Sequence, residues 1–300
     1  MKKKEIKLSV VFISTLIFLS IYGIKSSFSQ ENNTIHENLI SFEHIANNVA
    51  DPVKTANWYK DNLGMKIMRQ GGEPSFTTFV ADPGENMMFE FYHNPDVPLL
   101  DAGKFNHLSI HIAFCVDNIY ETKEKLLKNG ATIAGDISVS SSGDSVLTLR
   151  DPWGLPIQFV KRGKPFLKPM GFRFEHIAFN RNDSRAVADW YVNNLGMVVQ
   201  HESGEPDYGR FVADAGKNLM FELYQKKEVP VIDFDKIDVL SIHIAFTAKD
   251  LNKVKVKLVG ARAKVAKDIY KSSAGDSILI LRDPWGLPLQ FIQRAVPIIR

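Results

Sequence analysis

Four of the eight histidines in this 300-residue chain recur as pairs at a constant spacing of 132 residues. His44 recurs as His176, and His111 recurs as His243. Each of the four is followed 46 or 47 residues later by a glutamate or a glutamine. The four resulting pairs are His44 with Glu90, His111 with Gln158, His176 with Glu222, and His243 with Gln290.

These residue types are suitable ligands for a divalent metal ion. Glu90 lies in the apolar run at residues 87–91, and Gln158 lies between Ile157 and Phe159, where a polar group is costly unless it is paired or coordinates an ion. Two imidazoles, a carboxylate and an amide oxygen form an octahedral site with two positions left for water or substrate. One histidine on a β-strand more often has a structural role, but the fourfold recurrence of the histidine and Glu/Gln pattern favours a metal site. We therefore predict a divalent-metal cofactor, Zn, Fe, Ni or Mn, whose identity the sequence leaves open.

The constant spacing reflects a duplicated domain of about 120 residues. Residues 42–162 reappear with almost no gaps, and the repeated segments include FEHIA, NLGM, SIHIAF and RDPWGLP. We predict a first module at residues 38–163, a linker at 164–171 and a second module at 172–296. The duplication also predicts that the two modules associate within one chain as an intramolecular pseudo-dimer. The sequence leaves open whether a metal site is closed within one copy or shared between the copies.

Each copy divides again into two halves with the pattern strand, helix and three strands. In the first copy these are a strand at residues 42–47, a helix at Pro52–Leu63 and strands near Met65, Phe76 and Met87, then a strand at residues 108–116, a helix at Ile119–Lys128 and strands near Ile133, Val146 and Ile157. Four such βαβββ units predict an α+β fold in which helices cover one face of cupped mixed β-sheets. The other face is then free to hold a ligand.

Strand periodicity gives the orientation of the histidines. Regular alternation places His44 on the same face as Phe42 and Ala46, whereas Glu43 and Ile45 face the opposite way. We expect the histidines to point away from the apolar side that packs against the helices.

The helix ending in WYxxNLGM, the SIHIAF strand and the DPWG turn before the last strand resemble the vicinal-oxygen-chelate superfamily. This superfamily contains glyoxalases, bleomycin-resistance proteins and extradiol dioxygenases, and the resemblance covers nearly all of residues 40–295. It implies two glyoxalase-like modules built from tandem βαβββ units. It also implies metal ligands on the first and fourth strands of each half, which are the eight residues named above.

The sequence departs from this family on the last strand of each copy. Glyoxalase I and the extradiol dioxygenases carry Glu there, whereas this chain carries Gln158 and Gln290. An amide cannot accept the substrate proton that this Glu takes up in glyoxalase I. Glu90 and Glu222 are therefore the predicted catalytic residues.

The resemblance implies a metal-dependent lyase or isomerase of the glyoxalase type that acts on a small oxygen-rich substrate able to chelate the metal. Two alternatives remain open. One is a ring-cleaving dioxygenase of the extradiol type, which would need iron. The other is a metal-free protein that sequesters a small ligand, as bleomycin-resistance proteins do.

The N-terminus predicts export. Lys2, Lys3 and Lys4 precede an apolar run at residues 8–24, and small residues surround Ser29, so residues 1–29 are predicted to be a cleaved secretory signal; a retained membrane anchor is the alternative. We expect a periplasmic or secreted protein that does not bind a membrane after cleavage. Glutathione-dependent chemistry is then disfavoured, because a cytosolic thiol is scarce outside the cytoplasm.

Composition limits the partners further. Removing residues 1–29 takes away five Lys and one Glu and changes the formal net charge from +3 to −1, so we expect a small-molecule substrate and no nucleic-acid partner. The single cysteine, Cys115, excludes an internal disulfide and, because it does not follow the apolar run, a lipid anchor.

Overall fold

The computed structural model describes residues 40–168 and 171–299. The predicted signal at residues 1–29 lies outside these ranges. Among the described residues, no helix combines the length and apolarity needed to cross a lipid bilayer.

The first sequence copy contains two βαβββ units. Its elements are β1 (Ser41–Asn48), α1 (Pro52–Leu63), β2 (Lys66–Gln70), β3 (Thr78–Ala81), β4 (Met88–Tyr92), β5 (Ile110–Cys115), α2 (Ile119–Lys128), β6 (Thr132–Val139), β7 (Ser145–Arg150) and β8 (Pro156–Lys161). A short 3₁₀ turn, Ala102–Lys104, precedes β5.

The second copy repeats this order. Its elements are β9 (Phe174–Asn180), α3 (Ser184–Leu195), β10 (Val198–Glu202), β11 (Arg210–Ala213), β12 (Met220–Tyr224), β13 (Ile242–Thr247), α4 (Leu251–Gly260), β14 (Lys264–Lys271), β15 (Ser277–Arg282) and β16 (Pro288–Gln293). A matching 3₁₀ turn, Phe234–Lys236, precedes β13.

The strands form two eight-stranded mixed sheets, and each sheet combines half of each copy. The first has the order β14-β15-β16-β13-β1-β4-β3-β2, and the second has the order β10-β11-β12-β9-β5-β8-β7-β6. At the centre of the first sheet, β1 pairs antiparallel with β13 and parallel with β4. The predicted α+β fold with two cupped sheets is confirmed.

Local sequence signals explain the limits of the helices. Asp51 accepts a hydrogen bond from the backbone N–H of Lys54 at the start of α1, and Pro52 occupies its first turn. Gly64 ends the helix with φ at 66°, a left-handed conformation that suits glycine. The predicted helices Pro52–Leu63 and Ile119–Lys128 have the observed bounds.

The WY and DPWG segments join the two sheets. Tyr59 on α1 packs under the first sheet, and its hydroxyl donates to Asp151 Oδ2 at 2.8 Å, in the turn between β7 and β8 of the second sheet. Trp58 Nε1 donates to the Asn129 carbonyl at 2.7 Å. The same contacts recur in the second copy through Tyr191 with Asp283 and Trp190 with Ala261. These repeated residues therefore link the two halves of each copy, which lie in different sheets.

A bulge interrupts the alternation of β1. The pairing register with β13 shifts between Phe42 and His44, so Glu43 is an extra residue in the strand. Phe42 joins the buried apolar cluster together with Ile45, and Glu43 lies beside the His44 ring. The expected face shared by Phe42 and His44 was therefore wrong, because the bulge shifts the alternation by one residue. The register between β5 and β9 shifts in the same way beside Glu175.

Candidate metal centres

The eight predicted side chains form two clusters, one on each sheet. Centre 1 consists of His44 on β1, Glu90 on β4, His243 on β13 and Gln290 on β16. Centre 2 consists of His111 on β5, Gln158 on β8, His176 on β9 and Glu222 on β12. Each centre therefore takes two residues from each copy, because each sheet combines half of each copy. The histidine and glutamate side chains of each centre could hold a metal ion.

Alanines separate the ligands within each centre. Ala46 on β1 is paired with His243 on one side and Glu90 on the other. Paired residues in neighbouring strands point to the same face, so the small methyl group leaves open space between two larger side chains. The other alanines in such positions are Ala245 between His44 and Gln290, Ala113 between His176 and Gln158, and Ala178 between His111 and Glu222.

The ligand atoms of centre 1 converge around His44. Its Nε2 lies 2.9 Å from Glu90 Oε2 and 3.3 Å from Gln290 Nε2. The rings of His44 and His243 have centroids 5.9 Å apart. His243 Nε2 is buried and has no hydrogen-bond partner within the described ranges.

The ligand atoms of centre 2 are closer to one another. Glu222 Oε2 lies 3.1 Å from His176 Nε2 and 3.7 Å from His111 Nε2, and the two imidazole nitrogens are 3.4 Å apart. Bonds of about 2.1 Å to one ion place neighbouring ligand atoms about 3.0 Å apart in an octahedron and about 3.4 Å apart in a tetrahedron. The three distances between ligand atoms in centre 2 are close to both of these values.

The second histidine of each centre is oriented by a backbone carbonyl. His111 Nδ1 lies 2.9 Å from the His107 oxygen, and His243 Nδ1 lies 3.0 Å from the Val239 oxygen. A carbonyl oxygen only accepts, so Nδ1 carries the hydrogen and the Nε2 lone pair faces the centre. This is the tautomer that binds a metal through Nε2.

The first histidine of each centre is oriented by the bulge glutamate. His44 Nδ1 donates to Glu43 Oε2 at 2.6 Å. The Arg294 guanidinium donates hydrogen bonds to both carboxylate oxygens of Glu43 at 2.8 Å and to Asp276 at 2.8 Å. Burial alone would raise the pKa of Glu43, but the hydrogen bonds and charges of His44 and Arg294 lower it to about 2. His176, Glu175, Arg162 and Asp144 repeat the network in centre 2.

The electrostatics of centre 1 favour a cation between His44 and Glu90. Burial opposes a charged imidazole, but the carboxylates of Glu90 and Glu43 outweigh it and raise the pKa of His44. Burial likewise opposes the ionised carboxylate, yet the charge and the hydrogen bond of His44 lower the pKa of Glu90. Burial and the neighbouring His44 lower the pKa of His243 to about 4, so this ring stays neutral. A neutral imidazole with an unpartnered Nε2 beside an ionised carboxylate is a donor set that fits a divalent metal.

A cavity of about 540 Å³ opens onto centre 1. Glu90, His243 and Gln290 border it on the sheet side. Arg69, Tyr92, Tyr270 and Ser272 contribute polar side chains to its wall. A volume of this size is in the range of small-molecule sites.

The sequence does not predict the orienting network, because regular alternation places Glu43 on the opposite face from His44. A signal was nevertheless present, since Glu43 and Glu175 both precede a repeated histidine and Arg162 and Arg294 recur at the same spacing of 132 residues. A repeated buried acid beside a repeated histidine predicts a hydrogen bond between them.

Two sequence profiles match the chain in tandem. The profile of the glyoxalase, bleomycin resistance protein and dioxygenase superfamily matches residues 41–159, and that of a glyoxalase-like domain matches residues 176–292. The lactoylglutathione lyase of Neisseria meningitidis is 30% identical over 125 residues, which cover 40% of this chain and 88% of that protein.

Longer relatives match both copies. A chloroplastic protein of Arabidopsis thaliana, named as a probable lactoylglutathione lyase, is 23% identical over 258 residues, which cover 82% of this chain and 66% of that protein. The crystal structure of glyoxalase I from Zea mays superposes with a TM-score of 0.70 at 18% identity, covering 86% of this chain and 94% of that one. This likeness concerns the fold.

Proposed function

Because this chain belongs to the glyoxalase, bleomycin resistance protein and dioxygenase superfamily, we propose that it is a divalent-metal-dependent lyase or isomerase of the glyoxalase type. The observation that carries the proposal is the convergence of His44, Glu90 and His243, whose ligand atoms all lie within 4.8 Å of one another, and the same convergence in centre 2. The substrate is a small oxygen-rich molecule that chelates the metal through neighbouring oxygens.

The reaction class is taken from relatives that are named lactoylglutathione lyases. Two full ligand sets count against a metal-free binding protein. Lactoylglutathione itself fits poorly with an exported protein, because glutathione is a cytosolic thiol. We therefore favour a chelating substrate that lacks the glutathione portion.

A divalent ion bound in either centre supplies a Lewis acid that stabilises negative charge developing on the substrate oxygens. His44 and His243 hold their Nε2 atoms toward it through their Nδ1 hydrogen bonds. Gln290 contributes a neutral amide, which leaves the centre with one carboxylate and a net positive charge that favours an anionic or enolate-like substrate.

Glu90 is the proton acceptor of centre 1, and Glu222 is its equivalent in centre 2. Glu90 is ionised at neutral pH, because the charge and the hydrogen bond of His44 lower its pKa despite its burial. The side chain borders the cavity, so its carboxylate reaches a carbon-bound proton of a molecule held there. Gln290 cannot take this role, because an amide has no basic lone pair at neutral pH.

Export is part of the proposal. The basic residues Lys2, Lys3 and Lys4 ahead of an apolar run support cleavage after about residue 29. N-terminal sequencing of protein recovered from the periplasm or medium of the native host tests this. A mature N-terminus near Gln30 is expected, and an intact Met1 in a membrane fraction would instead indicate a retained anchor.

The function is tested by the metal content and activity of the mature protein, purified without affinity-tag histidines. Bound transition metal and turnover of an α-ketoaldehyde–thiol adduct or an α-hydroxyketone are expected, and the His44→Ala/His176→Ala variant should lose both. Protein that binds no metal even after reconstitution would contradict the proposal and favour a metal-free protein that sequesters a small ligand. Bound iron with oxygen uptake on catechols would replace the lyase with a ring-cleaving dioxygenase.

A further inference from the structure

The two centres differ at the residue that faces their glutamine. On the neighbouring strand, Thr148 is paired with Gln158 in centre 2, whereas Ile280 is paired with Gln290 in centre 1. Thr148 and Ile280 occupy equivalent positions in the two copies, and both are buried. One centre therefore has a hydroxyl next to its amide, and the other has an aliphatic side chain there.

The hydroxyl determines which way the amide points. Gln158 Nε2 donates to Thr148 Oγ1 at 3.4 Å. An amide oxygen and an amide nitrogen point in opposite directions from the same carbon, so holding the nitrogen at Thr148 turns the oxygen away from the hydroxyl. The oxygen is the only atom of the amide with a lone pair suited to a metal ion.

The amide of centre 1 has the opposite orientation. Gln290 Nε2 lies 3.3 Å from His44 Nε2, so the NH₂ group of this amide, and not its oxygen, faces the imidazole nitrogen that a metal would use. To become a ligand the amide must rotate by half a turn. Its NH₂ group then faces Ile280, which offers no acceptor, and a buried donor without a partner is costly.

The histidine and glutamate side chains also differ between the two centres, and they too favour centre 2 as the tighter site. In centre 2 the Nε2 atoms of His111 and His176 both lie within 3.7 Å of one carboxylate oxygen of Glu222. In centre 1, Glu90 contacts His44, while His243 Nε2 has no partner in the described part of the chain. Centre 2 is thus closer to the arrangement that an ion requires.

We propose that Thr148 is a positioning residue that orients the Gln158 amide and makes centre 2 the tighter of two unequal metal sites. Metal fills centre 2 first and centre 1 second. The inference rests on the proposed metal-dependent function, but it concerns the order and affinity of binding and not the reaction.

The test is a titration of the metal-stripped mature protein with Co²⁺, followed by calorimetry and by the visible absorbance of the bound ion. Two binding steps are expected, separated by at least about tenfold in Kd, which is the effect typical of residues that orient metal ligands. His176→Ala should remove the tighter step, and His44→Ala should remove the weaker one.

Substitutions at the paired position assign the cause. Thr148→Val keeps the shape of the side chain and should weaken the tighter step about tenfold, while Thr148→Ser retains the hydroxyl and should leave it nearly unchanged. Ile280→Thr should strengthen the weaker step, and it gives an independent readout if Thr148→Val does not fold.

Two equal sites in the wild-type protein would overturn the inference, as would a tighter step lost in His44→Ala. A tighter step that is the same in Thr148→Val and wild type, or an Ile280→Thr variant whose weaker step is unchanged, would also overturn it. These outcomes leave the proposed function intact, because metal still binds. The absence of any Co²⁺ binding would instead contradict both proposals.

Discussion

Glu43 Oε2 lies 2.6 Å from His44 Nδ1 although the two residues are consecutive in a β-strand. Consecutive side chains of a regular strand point to opposite faces, and the bulge in β1 makes the contact possible. The bulge thus converts a residue that would face the core into the hydrogen-bond partner of a candidate ligand histidine. The equivalent contact between Glu175 and His176 has the same length of 2.6 Å.

This contact predicts the effect of Glu43→Gln. The amide is a weaker acceptor than the carboxylate, so His44 becomes less basic and less firmly oriented. Metal affinity of centre 1 should fall by about tenfold or more, while the affinity of centre 2 stays unchanged. Calorimetric titration measures both, with the exposed substitution Glu121→Gln as control. Equal affinity in the variant and the wild type would show that the bulge glutamate has only a structural role.

The alanines between the ligands predict a steric block. Ala46→Val adds two methyl groups between His243 and Glu90. The variant should lose the metal of centre 1 and keep that of centre 2, at a cost of about 1–3 kcal/mol in folding stability. Metal analysis after dialysis tests this, and Ala46→Gly serves as the control that keeps the space open. Full metal content in Ala46→Val would contradict the assigned position of the ion.

The proposed base predicts a loss of turnover. The Glu90→Gln/Glu222→Gln variant keeps side chains of the same size but has no carboxylate to accept a proton. With the substrate found by screening, kcat should fall by about 10²–10⁴-fold at saturating metal. The Glu73→Gln variant, changed at the exposed rim of the cavity, is the control. A variant that retains turnover with metal bound would assign the proton transfer to another group.

The burial of the Asp151 carboxyl group predicts a pH-dependent stability. Burial raises the pKa of Asp151 to about 6, although hydrogen bonds from Tyr59 and backbone N–H groups oppose the shift. The folded state therefore binds this proton more tightly than the unfolded chain. The stabilisation is complete below about pH 4 and is lost as the pH rises through 6.

Asp151→Asn removes that proton equilibrium. Relative to wild type, the free energy of unfolding of the variant should increase by about 2–3 kcal/mol between pH 4 and pH 7. Urea denaturation at several pH values measures the difference, with Asp61→Asn at the exposed end of α1 as control. A difference between variant and wild type that does not change with pH would contradict the raised pKa.

Much of the fold could be predicted from local signals. The bounds of α1 follow from Asp51, Pro52 and Gly64, which act within a few residues of the helix ends. The strand expected near Phe76 begins at Thr78, because Phe76 has a φ of 46° and lies in a turn. The bulge at Glu43 could not be predicted from alternation, since one inserted residue leaves the apolar pattern of the strand almost unchanged.

The sequence names eight candidate side chains, whose role as metal ligands stays a prediction, but it does not give their distribution between the two sheets. All four βαβββ units carry the same pattern. The pattern therefore does not predict which two units pair through their first strands to form one sheet. The choice of β13 as the partner of β1 depends on contacts between residues about 200 positions apart. The repeated SIHIAF segment is the same in β5 and β13, so it does not distinguish these strands as partners of β1.

The contribution of both copies to each centre is tested by the metal stoichiometry of two double variants. His44→Ala/His243→Ala removes two ligands from one centre, so it should retain one equivalent of tightly bound metal. His44→Ala/His111→Ala removes one ligand from each centre and should retain almost none. The opposite result, with metal retained only in His44→Ala/His111→Ala, would mean that each centre is closed within a single copy.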